Sequence, residues 1–288
     1  MRSTRLVFIF LAVILFLNIN AQEAKRPVIW GVAKMTFYVS DLGLARNYYG
    51  KFLGFDECFS YRSEAGDLLS FKVNDRQFLE FAEMKDLKDK RHLISVSFET
   101  EDVEQMRVYL KSKGFNVPDK VKIDGAKNEV IEVNDPSGNK VEFIKYKPNS
   151  LHQLSKGKFL SPDRISKRIH HVGLYAEKVS VDDPFYAGVL NFKELWRFPE
   201  DPALPSVYVY LLMPECCENI ELLASGGINT SHPCFLVDDM QETIYTLKER
   251  RVNESLSNPM IGKGNRWLLN IMNSDKTKVE FTEAHTVR

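Results

Sequence analysis

Two imidazoles and two carboxylates stand at matching places in the C-terminal half of this sequence. His171 and His232 each open a strand-like run, His171-Val172-Gly173-Leu174 and His232-Pro233-Cys234-Phe235. Glu221 and Glu280 each sit inside a later one, Ile220-Glu221-Leu222 and Val279-Glu280-Phe281. Imidazole nitrogen and carboxylate oxygen are the donors that a hard or borderline divalent cation takes at about 2.0–2.2 Å. A strand turns alternate side chains to one face, and a curved sheet of two similar units can aim four of them at one centre. A glutamate between apolar neighbours on a strand can equally be solvent-facing. What singles these two out is their company, two of only six histidines in the chain. On a regular strand His170 faces away from His171, which leaves it outside the set.

The elements that must position these groups occur twice. Lys34-Met35-Thr36-Phe37-Tyr38-Val39 leads through Tyr48-Tyr49 to Leu53-Gly54-Phe55, as His171-Val172-Gly173-Leu174-Tyr175-Ala176 leads through Phe185-Tyr186 to Leu190-Asn191-Phe192. Phe98-Glu99-Thr100-Glu101-Asp102 matches Phe235-Leu236-Val237-Asp238-Asp239, each ahead of an amphipathic helix, Val103 to Lys113 and Met240 to Arg250. Lys140-Val141-Glu142-Phe143 matches Lys278-Val279-Glu280-Phe281. The offset is 137 residues from Lys34 to His171 and 138 from Glu142 to Glu280, so the chain is a tandem duplication.

Each repeat divides again into strand, helix and hairpin strands, with Asn74-Asp75 and Pro214-Glu215 as turns. Single strands followed by a helix and antiparallel hairpins make an α+β fold and not a doubly wound sheet. The expected organisation is an N-terminal domain over 28–148, a polar linker over 149–167 and a C-terminal domain over 168–286.

Thirty-nine basic and 39 acidic side chains give 288 residues no net charge, which excludes nucleic acid as a partner held by bulk charge. With 44% hydrophobic and 27% charged residues the chain is not disordered as a whole. No phosphate-cradling glycine loop, nucleophile elbow or HExxH motif occurs. Arg2 and Arg5 precede an unbroken apolar run from Leu6 to Leu17, with Ala21 beyond it. That run spans about 18 Å as a helix against a bilayer core of about 30 Å, so residues 1–21 read as a cleaved signal peptide. The mature protein is then secreted or periplasmic and leaves the membrane once cleaved. Of Cys58, Cys216, Cys217 and Cys234, the first and last are far apart and the middle two adjacent; they read as buried small side chains, with one disulfide left open.

The runs around His171, Phe185-Tyr186, Glu221, His232 and Glu280 resemble the vicinal oxygen chelate superfamily of glyoxalases, epimerases, extradiol dioxygenases and bleomycin-resistance proteins. The resemblance implies tandem domains, each of two βαβββ modules in a cupped mixed sheet. It also implies one divalent ion (Zn, Ni, Fe or Mn) held by His171, Glu221, His232 and Glu280. The implied activity is that of a metal-dependent lyase or isomerase on a small α-hydroxycarbonyl or 2-oxo substrate, through a metal-stabilised enediolate, with Glu221 or Glu280 as base. Two alternatives stay open. His171, His232 and Glu280 form the triad of an Fe(II) extradiol-type dioxygenase, although Met213–Ser225 holds no histidine, Trp267–Met272 no tyrosine, and Glu221 adds a fourth donor. A metal-free binding module of the bleomycin-resistance type would instead use Trp196, Tyr208, Tyr210 and Trp267 as a cavity lining, unless these are core. Whether the repeats pair within one chain or across a homodimer is open as well.

The first repeat departs from the pattern. Lys34 replaces the first histidine and Ser95 the second, while Glu80 and Glu142 persist. An ammonium opposes a bound cation, so this centre is expected to be degenerate, with Lys34 paired to Glu80 or Glu142.

Overall fold

The computed structural model describes residues 24–250 and 256–287. The expected signal segment, residues 1–21, lies outside them. Among the described residues no helix is long and apolar enough to cross a membrane.

The first half holds β1 (Ile29–Val39), β2 (Asp56–Ser63), β3 (Gly66–Lys72), β4 (Phe78–Glu83), β5 (Leu93–Thr100), β6 (Lys122–Ile123), β7 (Glu129–Asn134) and β8 (Lys140–Lys145). The second holds β9 (Ile169–Tyr175), β10 (Lys193–Phe198), β11 (Tyr208–Leu212), β12 (Asn219–Leu223), β13 (His232–Val237), β14 (Met260–Ile261), β15 (Trp267–Met272) and β16 (Lys278–Glu283). The strand orders are β2-β3-β4-β1-β5-β8-β7-β6 and β10-β11-β12-β9-β13-β16-β15-β14, so the two sheets are copies of one another. In each, two βαβββ modules meet at their first strands. β1 lies antiparallel to β5 and parallel to β4, and β9 stands likewise to β13 and β12. Both are curled mixed sheets with few helices, an α+β architecture as expected.

Helices begin where the sequence offers a short carboxylate. Asp102 accepts from Gln105 N at the start of α2 (Val103–Ser112), and Asp41 from Leu44 N at α1 (Leu42–Ala45), as N-caps do. Asp239 accepts from Glu242 N at α4 (Met240–Arg250). The two aromatic pairs lie in π-helical turns, Arg46–Phe52 and Pro184–Val189. The chain leaves them through left-handed residues at Gly54 (φ +77) and Asn191 (φ +61), the two residue types that reach this region most readily.

The repeats pair within one chain. Phe55 packs on Phe235, Phe98 on Phe192 and Phe115 on Phe185, with ring centroids 5.1–5.8 Å apart. The contact is pseudo-symmetric: Tyr186 donates to Asp135 Oδ2 (3.0 Å), and its counterpart Tyr49 meets Asn273 (3.5 Å). One continuous apolar core runs through both halves.

Two expectations are corrected here. The linker is not only a polar connection, because it forms α3 (Leu151–Leu154) and buries His152 inside the first sheet's cup. No disulfide joins the cysteines, and only Cys234 is fully buried; Cys217 is exposed, since adjacent cysteines near a tight turn cannot both face inward.

Candidate metal centre

The backbone registers align the two centres residue by residue. His171 stands opposite Cys234 and His232 opposite Gly173 across β9 and β13, just as Lys34 stands opposite Ser97 and Ser95 opposite Thr36 across β1 and β5. Glu221 lies beside Gly173 as Glu80 lies beside Thr36. Glu280 lies beside Cys234 as Glu142 lies beside Ser97. Duplication preserved every ladder, so only the side chains differ.

In the second sheet the structure brings all four predicted residues together. His171 Nε2 is 3.8 Å from Glu221 Oε2 and 3.5 Å from Glu280 Oε1. His232 Nε2 is 3.5 Å from Glu221 Oε2 and 3.7 Å from Glu280 Oε2. All four side chains are buried. Yet His171 Nε2, His232 Nε2, Glu221 Oε2 and Glu280 Oε1 make no hydrogen bond, although such buried atoms are normally satisfied. Donors about 2.1 Å from a central cation and arranged tetrahedrally lie about 3.4 Å apart. The spacing and the unmet hydrogen-bonding capacity both fit a divalent ion at the centre.

Neighbouring groups hold these donors in ligating form. His232 Nδ1 donates to the Thr230 carbonyl (2.7 Å), which fixes its proton there and turns the Nε2 lone pair to the centre. Burial, and then the Lys278 charge, push His232 well below the usual imidazole range. Burial, then neighbouring His170 and His232, do the same to His171. Both are therefore neutral, as metal ligands must be. Glu221 Oε1 accepts from the Tyr210 hydroxyl (2.8 Å), and Lys278 Nζ lies 3.3 Å from Glu280 Oε2. Burial and then the Glu280 charge push the Glu221 carboxyl up from its ordinary value.

His170 is a correction to the strand-alternation argument. The β9 to β13 register slips between Cys234 and Phe235, so that Phe235 faces Ile169 and the extra residue, His170, bulges. Its ring stays beside His171, Nδ1 to Nδ1 at 3.0 Å, and faces the same cavity. Cys234, read as a small core side chain, also sits within 4.8 Å of the ring nitrogens of His170 and His171. Of the four aromatics, Trp196, Tyr208 and Tyr210 line the cavity, whereas Trp267 packs on the core. Sequence reasoning missed the roles of Gly173, Thr230, Lys278 and Arg266, and the bond from Tyr210 to Glu221. Lys278 was within reach, since it lies two residues before Glu280 and thus on the same strand face.

The first sheet's cup is filled by ion pairs. Lys34 Nζ reaches Glu80 Oε2 (2.9 Å), Tyr61 (3.2 Å) and Glu142 Oε1 (3.3 Å), so the expected pairing forms with both glutamates. His152 arrives from α3, its Nε2 3.1 Å from Glu80 Oε1 and its Nδ1 3.0 Å from Asn128 Nδ2. Burial alone would raise the Glu80 carboxyl; the Lys34 charge, His152 and Tyr61 outweigh it and hold it at about 2.

Comparison with known proteins follows the fold. Residues 31–143 match the family described as Glyoxalase/Bleomycin resistance protein/Dioxygenase superfamily, so the match falls on the half whose centre has diverged. No curated protein sequence matches the chain. Among solved structures, the 2,3-dioxygenase LapB from Pseudomonas sp. KL28 is similar with a TM-score of 0.69 at 14% identity, covering 92% of this chain and 96% of that one. A variant of homoprotocatechuate 2,3-dioxygenase from Brevibacterium fuscum gives 0.70 at 17% identity, covering 93% and 75%. The Mn(II)-bound glyoxalase from Novosphingobium aromaticivorans gives 0.66 at 16% identity, covering 89% and 83%. Identities this low speak to the fold. The family model thus matches residues 31–143, and the second half is built to the same strand order.

Proposed function

We propose that the protein is a metal-dependent enzyme whose C-terminal half holds one divalent ion between His171, Glu221, His232 and Glu280 and acts on a small, oxygen-rich molecule of the α-hydroxycarbonyl or 2-oxo kind. The observation that carries this reading is that each histidine Nε2 lies 3.5–3.8 Å from an oxygen of both glutamates, while His171 Nε2, His232 Nε2, Glu221 Oε2 and Glu280 Oε1 are buried without a hydrogen-bond partner. When bound, such an ion supplies Lewis-acid stabilisation of charge that develops on substrate oxygen. The chain's own groups supply the rest. Glu221 is the proton acceptor: Tyr210 anchors Oε1, and Oε2 faces the centre without a partner. Glu280, braced by Lys278, holds the opposite side, and Trp196 and Tyr208 on the cavity wall exclude water from the substrate. The proposal includes the reading of residues 1–21 as an export signal, under which the enzyme works outside the cytoplasm.

A second reading has its own observation. The dioxygenase alternative lacked a further histidine and tyrosine on the expected strands; the bulge delivers His170 and β11 delivers Tyr210 to the same cavity. Under that reading the ion is Fe(II).

Elemental analysis of the purified protein tests both. One divalent ion per chain, lost in Glu280→Ala, is expected. Iron marks the oxygenase branch, and zinc, nickel or manganese the lyase or isomerase branch. Metal-free wild type that binds no added divalent ion rejects both readings in favour of a metal-free binding module.

A further inference from the structure

The C-terminal cavity, about 610 Å³, has an uneven charge distribution. Among the described residues its only acids are Glu221 and Glu280, while Lys263, Arg266 and Lys278 supply three cations. Two of those are engaged: Lys278 with Glu280 at 3.3 Å, and Lys263 over the Phe198 ring at 5.2 Å. Arg266 is half-buried, and among the described residues its guanidinium pairs with no carboxylate; it meets His170 Nε2 at 3.2 Å. A divalent ion between the two glutamates would cancel their charge and leave the wall net positive.

From these observations we infer that the ligand of this cavity carries an anionic group, a carboxylate or its equivalent, that Arg266 receives. The inference rests on the metal-centre reading above and names the substrate class for it: a small acid with an apolar or aromatic body against Trp196 and Tyr208, and vicinal oxygens toward the histidines. A guanidinium presents a planar fork of donors that matches a carboxylate, so it confers both affinity and orientation.

Arginine only donates, so in the contact with Arg266 Nε2 of His170 accepts. A carboxylate accepts two such bonds with charge assistance and outcompetes a single neutral ring nitrogen for the guanidinium.

The test compares 3-(3,4-dihydroxyphenyl)propionate with 4-propylcatechol, probes of matching shape that differ in the carboxylate. Binding to zinc-loaded protein is read by calorimetry, with metal content measured alongside. The charged probe is expected to bind about tenfold more tightly or better, as a charge-assisted pair implies. In Arg266→Gln that preference should fall to within about twofold while metal content and 4-propylcatechol affinity hold, and Arg266→Lys should retain part of it. Equal affinities in metal-loaded wild type would overturn the inference, and so would a preference that survives in Arg266→Gln. If the protein takes up no metal, the metal-centre reading fails by itself. The anion site is then read with phenylacetate against benzyl alcohol on the protein as purified, and no Arg266-dependent preference there would overturn it.

Discussion

Gly173 and His232 face one another across β9 and β13 so closely that a methyl group on Gly173 would lie 2.1 Å from His232 Cε1 and 2.4 Å from Nδ1. The imidazole occupies the space a Cβ would take. In the first repeat the same pair is Thr36 and Ser95, where a small side chain replaces the ring and a larger one the glycine. Histidine and glycine changed together, so each repeat keeps its packing.

Gly173→Ala should therefore displace His232 from the centre. Metal affinity is expected to fall about 10–100-fold, the range for losing a ligand's support, with an overpacking cost of about 1–3 kcal/mol. Competition against a chelator of known affinity measures the first and urea denaturation the second. Unchanged metal affinity would show that His232 does not need this opening.

Metal loading should raise the melting temperature, because an ion that binds only the folded chain stabilises it. At a hundredfold excess over Kd the gain is about 2.7 kcal/mol, or roughly 5–10 °C for a chain of this size. Scanning calorimetry with and without chelator should show that shift in wild type and not in Glu280→Ala.

Lys34 is wholly buried between Glu80 and Glu142. Lys34→Met leaves two carboxylates without their cation and should cost about 3–5 kcal/mol. Combining it with Glu80→Leu should recover much of that loss, since a buried pair replaced as a unit is often neutral. C-terminal metal content should be unaffected in a folded double variant.

Glu218 crosses between the halves, its Oε2 accepting from Val32 N at 2.5 Å. Burial raises its carboxyl from 4.5 to about 7, against the pull of that hydrogen bond and of Arg76. A raised native value means the folded state holds the proton more tightly than the unfolded one. This stability is full below about 4.5 and drains away as pH climbs through about 7. Urea midpoints should decline from pH 5 to pH 8 in wild type by the equivalent of about 2–3 kcal/mol more than in Glu218→Gln. Parallel profiles for the two proteins would reject the assignment.

The duplication, the α+β class and the four donors were legible in the residue order, because strand alternation and the spacing of repeated runs are local properties that duplication copies intact. Lys34 facing Glu80 and Glu142 followed from the same register. What stayed hidden depends on chain closure. His170 reaches the cavity only because one ladder slips by a residue, His152 because a connecting segment folds back into the first cup, and Arg266 because a remote hairpin closes over the second. Residue types and spacing determined which groups could meet a cation; the tertiary structure decided which other charges meet it too, since burial and neighbouring dipoles exist only once distant segments have packed.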